Sequence, residues 1–254
     1  MAETLAAGDA FLGGRLRIAQ PEGGHRAGLD AVMLAAAAQT PAAGAQVLDA
    51  GTGAGVVGLC LASRVGTCWV TGVDIDQALV DLANDNARAN GLEGRFKAGR
   101  ADLTAPLSGL PFFLKPDAFD VVVANPPFYS AGTGTASSEP ARARAAVMPS
   151  GGLKTWMRFM TAVLRPGGTL MLIYPAAALG DVLASLEGRC GAISVFPLYP
   201  RKFEAAHRVI VAGVKGSRAP LSLKAGLVLH EDGNAFTLAT EDVLRNGAPL
   251  DIRS

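Results

Sequence analysis

Apolar residues along the 254-residue chain gather in short blocks whose period switches between two and about 3.6, and the switch recurs. Leu16 and Ile18 alternate with Arg15 and Arg17 after Gly13-Gly14, which predicts a short N-terminal strand or hairpin. The run from Leu29 to Ala38 is helical in composition, and Pro41 with Gly44 stops it. Strands and helices then alternate. Strands are expected over 46–50, 68–75, 95–98, 119–124 and 169–174, and helices over 56–64, 77–90, 152–164 and 176–188. Phe119 to Ala124 is apolar but for Asp120 and centred on three consecutive β-branched valines, as expected of a parallel strand buried on both faces. Pro166-Gly167-Gly168 is expected to stop the 152–164 helix. Segments 193–198 and 208–214, with no helix between them, read as a closing antiparallel pair, followed by a strand-like 221–229 and a helix-like 240–245. The stretch 103–117 holds Pro106, Gly109, Pro111 and Pro116 and reads as a loop or broken helix; 130–136, rich in Gly, Ser, Thr and Ala, reads as a mobile flap.

This alternation predicts a doubly wound α/β sheet whose ligands bind at the carboxyl ends of its strands. Two motifs fall on that edge. The first is the glycine turn Asp49-Ala50-Gly51-Thr52-Gly53-Ala54-Gly55 between the first strand and helix of the alternation, where absent Cβ atoms let a ligand approach the backbone. Gly53 to Gly58 also satisfies the G-x-G-x-x-G dinucleotide fingerprint, with Asp74 near the place of a ribose-binding acid, so a nicotinamide or flavin cofactor competes. Asp49 weighs against it, because a carboxylate immediately before the glycines would repel a pyrophosphate. S-adenosyl-L-methionine carries an ammonium and a sulfonium and no phosphate, so it tolerates that acid.

The second motif, Asn125-Pro126-Pro127-Phe128, follows directly on the 119–124 strand. Two prolines fix consecutive φ angles and push Asn125 toward extended geometry, giving a rigid edge. An exocyclic amine on a heteroaromatic ring is a poor nucleophile because its lone pair is delocalised. Two acceptors, the Asn125 side-chain oxygen and the Pro126 carbonyl, would draw that nitrogen toward sp³ and aim its lone pair, while Phe128 stacks on the ring. Methyl transfer from a sulfonium needs this kind of positioning more than it needs a strong base.

Composition narrows the alternatives. The first ten residues carry Glu3 and Asp9 without a basic cluster or a sustained apolar run, so no secretory signal is indicated and a cytoplasmic location is expected. The longest uncharged apolar stretch, 31–38, is far below the roughly 20 residues of a membrane-spanning helix. Cys60, Cys68 and Cys190 are widely spaced in apolar segments, and His25, His207 and His230 are isolated, so neither a disulfide framework nor a metal site is expected. Net charge is only +1, but residues 139–218 hold eleven Lys or Arg against four acids, a local +7 that leaves −6 elsewhere. Such asymmetry suits a region that meets phosphates.

With both motifs placed, the chain resembles the class I, Rossmann-like methyltransferases bearing an Asn-Pro-Pro-aromatic motif, and more closely the bacterial tRNA adenine-N6 methyltransferases that act beside the anticodon of a valine tRNA. The likeness runs through residues 28–34, the glycine turn, Asp74-Ile75-Asp76, Ala101-Asp102, Asn125 to Phe128, residues 165–168 and His207-Arg208-Val209. It implies a mostly parallel seven-stranded sheet with a C-terminal antiparallel pair, in one catalytic domain with a core over 27–216, an N-terminal hairpin-like extension over 1–26 and a C-terminal appendage over 217–254. It implies S-adenosyl-L-methionine as cofactor, its methionine moiety cradled by Asp49, Gly51, Gly53 and Gly55, with Asp30 beside the amino-acid end. Asp74 and Ile75 would serve the ribose, Asp102 the adenine amine, and Asn125 would touch both cofactor and substrate. Asn125, Pro126, Pro127 and Phe128 would be the catalytic edge, Phe128 keeping the ring of a Tyr found in many relatives without its hydroxyl. Arg201, Lys202, Arg208, Lys215 and Arg218 are the candidates for RNA phosphates, the partner being RNA and specifically tRNA; the oligomeric state stays open. A protein glutamine N5-methyltransferase, which faces the same lone-pair problem, is the alternative; a dinucleotide-dependent oxidoreductase and a catalytically idle RNA-binding module are the readings outside methyl transfer.

Overall fold

The computed structural model describes residues 8–21, 26–38, 42–106, 109–126, 129–130, 147–148 and 152–252. An N-terminal hairpin, β1 (Asp9–Phe11) and β2 (Leu16–Ile18), precedes α1 (Leu29–Ala37). The alternation then follows: β3 (Gln46–Ala50), α2 (Val56–Arg64), β4 (Trp69–Asp74), α3 (Gln77–Ala89), β5 (Phe96–Arg100) and β6 (Phe119–Ala124). Two short strands, β7 (Tyr129–Ser130) and β8 (Val147–Met148), pair with each other. The chain continues through α4 (Gly152–Val163), β9 (Leu164–Pro175), α5 (Leu179–Leu186), β10 (Cys190–Tyr199), β11 (Arg208–Lys215), β12 (Ser222–Leu223), β13 (Leu227–Val228) and α6 (Leu238–Glu241).

The main sheet runs β12-β10-β11-β9-β6-β3-β4-β5, with β13 also on β10. The strands β5, β4, β3, β6 and β9 are mutually parallel, and β11 is antiparallel to both β9 and β10. The expected Rossmann-like sheet with its antiparallel pair is therefore present. It has nine strands rather than seven, because the 221–229 segment contributes two dipeptide strands at the outer edge. Gly226 (φ +83°) bends the chain between them, and a Cβ there would stand 2.4 Å from the Pro197 carbonyl oxygen.

Each central strand serves two cores by simple alternation. In β6, Val121 and Val123 face one hydrophobic cluster with α1, α2 and α3, while Val122 and Ala124 face the other with α4 and α5. Each of the three valines stabilises by about 1.5–3 kcal/mol when fully buried. The N-terminal hairpin and the C-terminal segment share the first cluster. Leu250 N–H donates to Ala36 (2.9 Å), and Arg64 donates to Gly247 (2.9 Å) and to the Ala35 carbonyl.

Two boundaries differ from expectation. Pro166-Gly167-Gly168 was expected to end a helix ahead of a strand at 169, but Leu164 already pairs with Phe119. The proline and glycines sit in a bulge, where Gly167 takes φ +74° and the register against β6 slips. The helix expected over 176–188 opens as a 3₁₀ turn at Ala176–Ala178 before α5 begins. Within 103–117 the described residues are irregular, with Leu103 and Leu114 buried and the Phe113 ring against Gly99. The expected flap at 130–136 lies, apart from Ser130, outside the described residues.

Candidate functional site at the carboxyl edge of the sheet

The glycine turn is held from below. Gly51, Gly53 and Gly55 take φ of +73°, +54° and +89°, a region costly for side-chained residues. Gly51 and Thr52 N–H groups donate to the Val73 carbonyl at 2.9 and 2.8 Å, locking the turn to β4. The Asp49 carboxylate is buried beneath it, its Oδ2 accepting from the Thr52 hydroxyl (2.6 Å) and from Gly58 N–H in the first turn of α2 (3.0 Å). Burial pushes the Asp49 carboxyl up to about 6, opposed by those two hydrogen bonds and reinforced by the charge of Asp74. Asp49 thus braces the turn from inside, beneath the glycines with which the resemblance groups it. Among the described residues nothing lies within 4 Å of a Cβ placed on Gly53, so they leave the turn open on its upper side.

Asp74, at the end of β4, spans the next step. Its Oδ2 accepts from Gly53 N–H (2.9 Å) and its Oδ1 from Asp76 N–H (3.0 Å), and burial is the largest cause raising its carboxyl above the ordinary carboxylate range. Ile75 follows with 58% of its surface exposed, an apolar wall beside the acid. Asp102, just beyond β5, is exposed. Its Oδ1 accepts from the Thr104 hydroxyl (2.6 Å) and N–H (2.8 Å), which lower its carboxyl below the usual range. The ends of the adjacent strands β3, β4 and β5 therefore carry Asp49, Asp74 and Asp102 in a row.

On the other side of β3 stands β6, and its register places Ala124 opposite Ala50, so Gly51 and Asn125 leave neighbouring strands side by side. The Asn125 Oδ1 is buried with no hydrogen-bond partner among the described residues. An acceptor left so costs about 1–3 kcal/mol, and such groups concentrate where a ligand satisfies them. Pro126 is buried beside it. Pro127 and Phe128 lie outside the described residues.

The motif reading missed a further neighbour, Trp156 of α4. A Cβ on Gly51 would stand 2.5 Å from its Cη2, so the indole rests directly on the turn's first glycine. Tryptophan in an amphipathic helix reads as core; the signal was a glycine one residue past a strand end, where the turn alone does not explain it.

The basic candidates divide. Arg208 Nε donates to Asp30 Oδ2 at 2.9 Å, joining the first turn of α1 to the start of β11 and binding together two residues expected to serve cofactor and RNA separately. Arg201 donates to the Gly233 carbonyl (3.2 Å) and reaches Glu204 (3.8 Å), and Lys202 lies 5.0 Å over the Phe203 ring. These three stand at the carboxyl edge, because β11 runs against its neighbours and starts there. Lys215 ends β11 roughly 23 Å away at about 3.3 Å per residue, donating to Asp117 (2.7 Å) and the Leu164 carbonyl (2.6 Å). Arg218 follows it there. The five cations are not one patch.

Cys60, Cys68 and Cys190 are free thiols, and burial pushes Cys60 up to about 12 and Cys190 up to about 11. Among the described residues no group of three His, Cys, Asp or Glu is placed to hold a metal, and no helix is long and apolar enough to cross a membrane.

The family model described as "Methyltransferase domain" matches residues 41–204, which takes in the glycine turn, Asp74, Asp102 and Asn125. A tRNA1(Val) (adenine(37)-N6)-methyltransferase of Porphyromonas gingivalis is 32% identical over 161 residues, 62% of this chain and 61% of that protein, so the chain spans less than two thirds of that relative. The Aeromonas salmonicida protein of the same name is 27% identical over 214 residues, 84% of this chain and 85% of that one. Among solved structures, an Agrobacterium tumefaciens protein described as a predicted O-methyltransferase superimposes with a TM-score of 0.71 at 28% identity, covering 87% of this chain and 98% of that one.

Proposed function

The chain belongs to the methyltransferase-domain family and is an S-adenosyl-L-methionine-dependent methyltransferase; on that premise we propose that it methylates the exocyclic N6 of an adenine in tRNA. The observation that carries the proposal is the buried Oδ1 of Asn125, unpartnered among the described residues, beside the Gly51 turn. The cradle fits the cofactor: Gly51, Gly53 and Gly55 would line its amino-acid portion, Asp74 would take ribose hydroxyls with its remaining lone pairs, and Ile75 and Asp102 would flank its adenine. When bound, the cofactor supplies an electrophilic methyl on a sulfonium.

The protein's part is acceptance and aim. Asn125 Oδ1 would accept one N–H of the target amine and the Pro126 carbonyl the other, so the lone pair is freed from the ring and points at the methyl. A primary amine offers two N–H groups to such a pair of acceptors, whereas a hydroxyl offers one and needs a base, which favours nitrogen over the oxygen named for the Agrobacterium neighbour. The tRNA relatives support adenine in tRNA as the acceptor and hence a cytoplasmic place of work. Arg201, Lys202 and Arg208 would face the RNA; Lys215 and Arg218, at the far end of β11, would not. A base held in a stack reaches this edge only by extrusion, at about a few kcal/mol, and a loop nucleotide avoids most of that cost.

Incubation with methyl-labelled cofactor and either total tRNA or total protein tests the proposal. Label in tRNA, recovered as N6-methyladenosine, is the expected result. Label confined to protein would overturn it in favour of a glutamine amide.

A further inference from the structure

The corner between β10 and β11 carries a feature the catalytic edge does not use. Phe203 stands there with 95% of its surface exposed, the most exposed large apolar side chain among the described residues. Its backbone takes φ +67°, a left-handed conformation that bulky residues avoid at a cost of order 1–3 kcal/mol. Neither fact helps the fold. The ring buries almost nothing, and a glycine would hold the same turn without strain.

The corner is nevertheless firmly placed. Arg201 ties it to the Gly233 carbonyl (3.2 Å) and the Asn234 side chain (3.4 Å), and His207 N–H closes it on the Leu198 carbonyl (3.2 Å). The Lys202 ammonium sits 5.0 Å from the ring centroid. A solvent-facing aromatic ring flanked by cations on a fixed loop is what stacks a nucleobase while holding its phosphate. The corner lies on the same edge as Asn125, three strands away through β9, β11 and β10, or roughly 15 Å at about 4.8 Å per strand spacing. That separation suits an unpaired base a few nucleotides from the target.

We propose that Phe203, with Lys202 and Arg201, is a stacking platform for a second, unpaired base of the RNA substrate. This rests on the tRNA reading above and adds to it the means by which a loop is held while one of its bases enters the crevice.

The test compares Phe203→Ala, Phe203→Trp and Phe203→Gly with the wild-type enzyme in RNA binding, tRNA methylation, S-adenosylhomocysteine binding and thermal melting. Phe203→Ala should raise the Kd and KM for tRNA roughly ten- to a hundred-fold, with kcat and S-adenosylhomocysteine affinity unchanged, and Phe203→Trp should bind as tightly as wild type. Phe203→Gly should weaken RNA binding as the alanine variant does, yet melt a few degrees higher because the strain is relieved. Unchanged RNA affinity in Phe203→Ala, with the wild type still methylating tRNA, would remove the platform and leave the proposed function standing. A lower melting temperature in Phe203→Gly would also remove it, since the ring would then serve the fold. A wild-type enzyme that labels protein alone would overturn both.

Discussion

The two sides of the crevice are built on opposite plans. On the β3–β4–β5 side the polar groups of the turn are paired within the protein: Asp49 with Thr52 and Gly58, Asp74 with Gly53 and Asp76, Asp102 with Thr104. On the β6 side, the Asn125 oxygen lies buried with no partner among the described residues. The folded chain therefore shapes the first side before any ligand arrives, while on the proposed function the second would be completed by the molecule that enters. A cofactor common to many reactions suits a finished socket; the acceptor, which decides the chemistry, suits an open valence.

The sharpest way to break this contrast is Asn125→Ala. Methylation should fall about 10²- to 10³-fold, the loss typical of one preorganised hydrogen-bonding group, with S-adenosylhomocysteine affinity retained in calorimetry. Equal loss of cofactor binding would mean that Asn125 belongs to the socket.

Next is Asp49→Asn. The folded carboxyl titrates near 6, above its ordinary 3.8, so its stabilising contribution is complete below about 3.8 and is lost as pH rises through 6. The amide keeps an acceptor for Thr52 and Gly58 without a charge to bury. The variant should therefore gain over wild type as pH rises from about 4 to about 7, approaching about 3 kcal/mol in urea unfolding and levelling off above that. A constant difference across that range would show that burial of the charge is not what strains the turn.

Gly51→Ala should cost about 1–3 kcal/mol through its positive φ and its collision with Trp156. Adding Trp156→Leu should recover only the steric part, so a double-mutant cycle reads the two causes apart. The smallest effect belongs to Lys202→Gln. Lys202 meets only a neighbouring ring among the described residues, and its replacement should lower the salt slope of RNA binding by about one unit, whereas Lys215→Gln, at the far edge, should leave it unchanged.

Strand ends were legible where the chain announces them chemically. β3 and β6 match their sequence bounds because a short, mostly apolar run meets glycines in one case and Asn-Pro in the other. The 165–168 segment misled because a proline and two glycines mark a helix stop and a strand bulge alike; only pairing with β6 separates them. That Asp74 and Asn125 stand at the carboxyl edge was legible because their motifs are local. Trp156 was not, because its meaning depends on which helix crosses the turn. The basic residues were grouped by nearness in sequence, and strand direction, a property of the whole sheet, divided them. Phe203 had a faint sequence signal, an aromatic residue in the polar run Arg201-Lys202-Phe203-Glu204, that only its exposure made readable.

The direction of β11 has an effect beyond pairing. Had it run with its neighbours, a long crossover would have been needed and its leading end would have opened at the opposite rim. Reversal folds a short corner back to the carboxyl rim, on a ribbon separate from the glycine turn. If the proposed function holds, changes in that corner would retune which molecule is retained without disturbing the cofactor socket, and recognition and catalysis would be free to diverge at different rates.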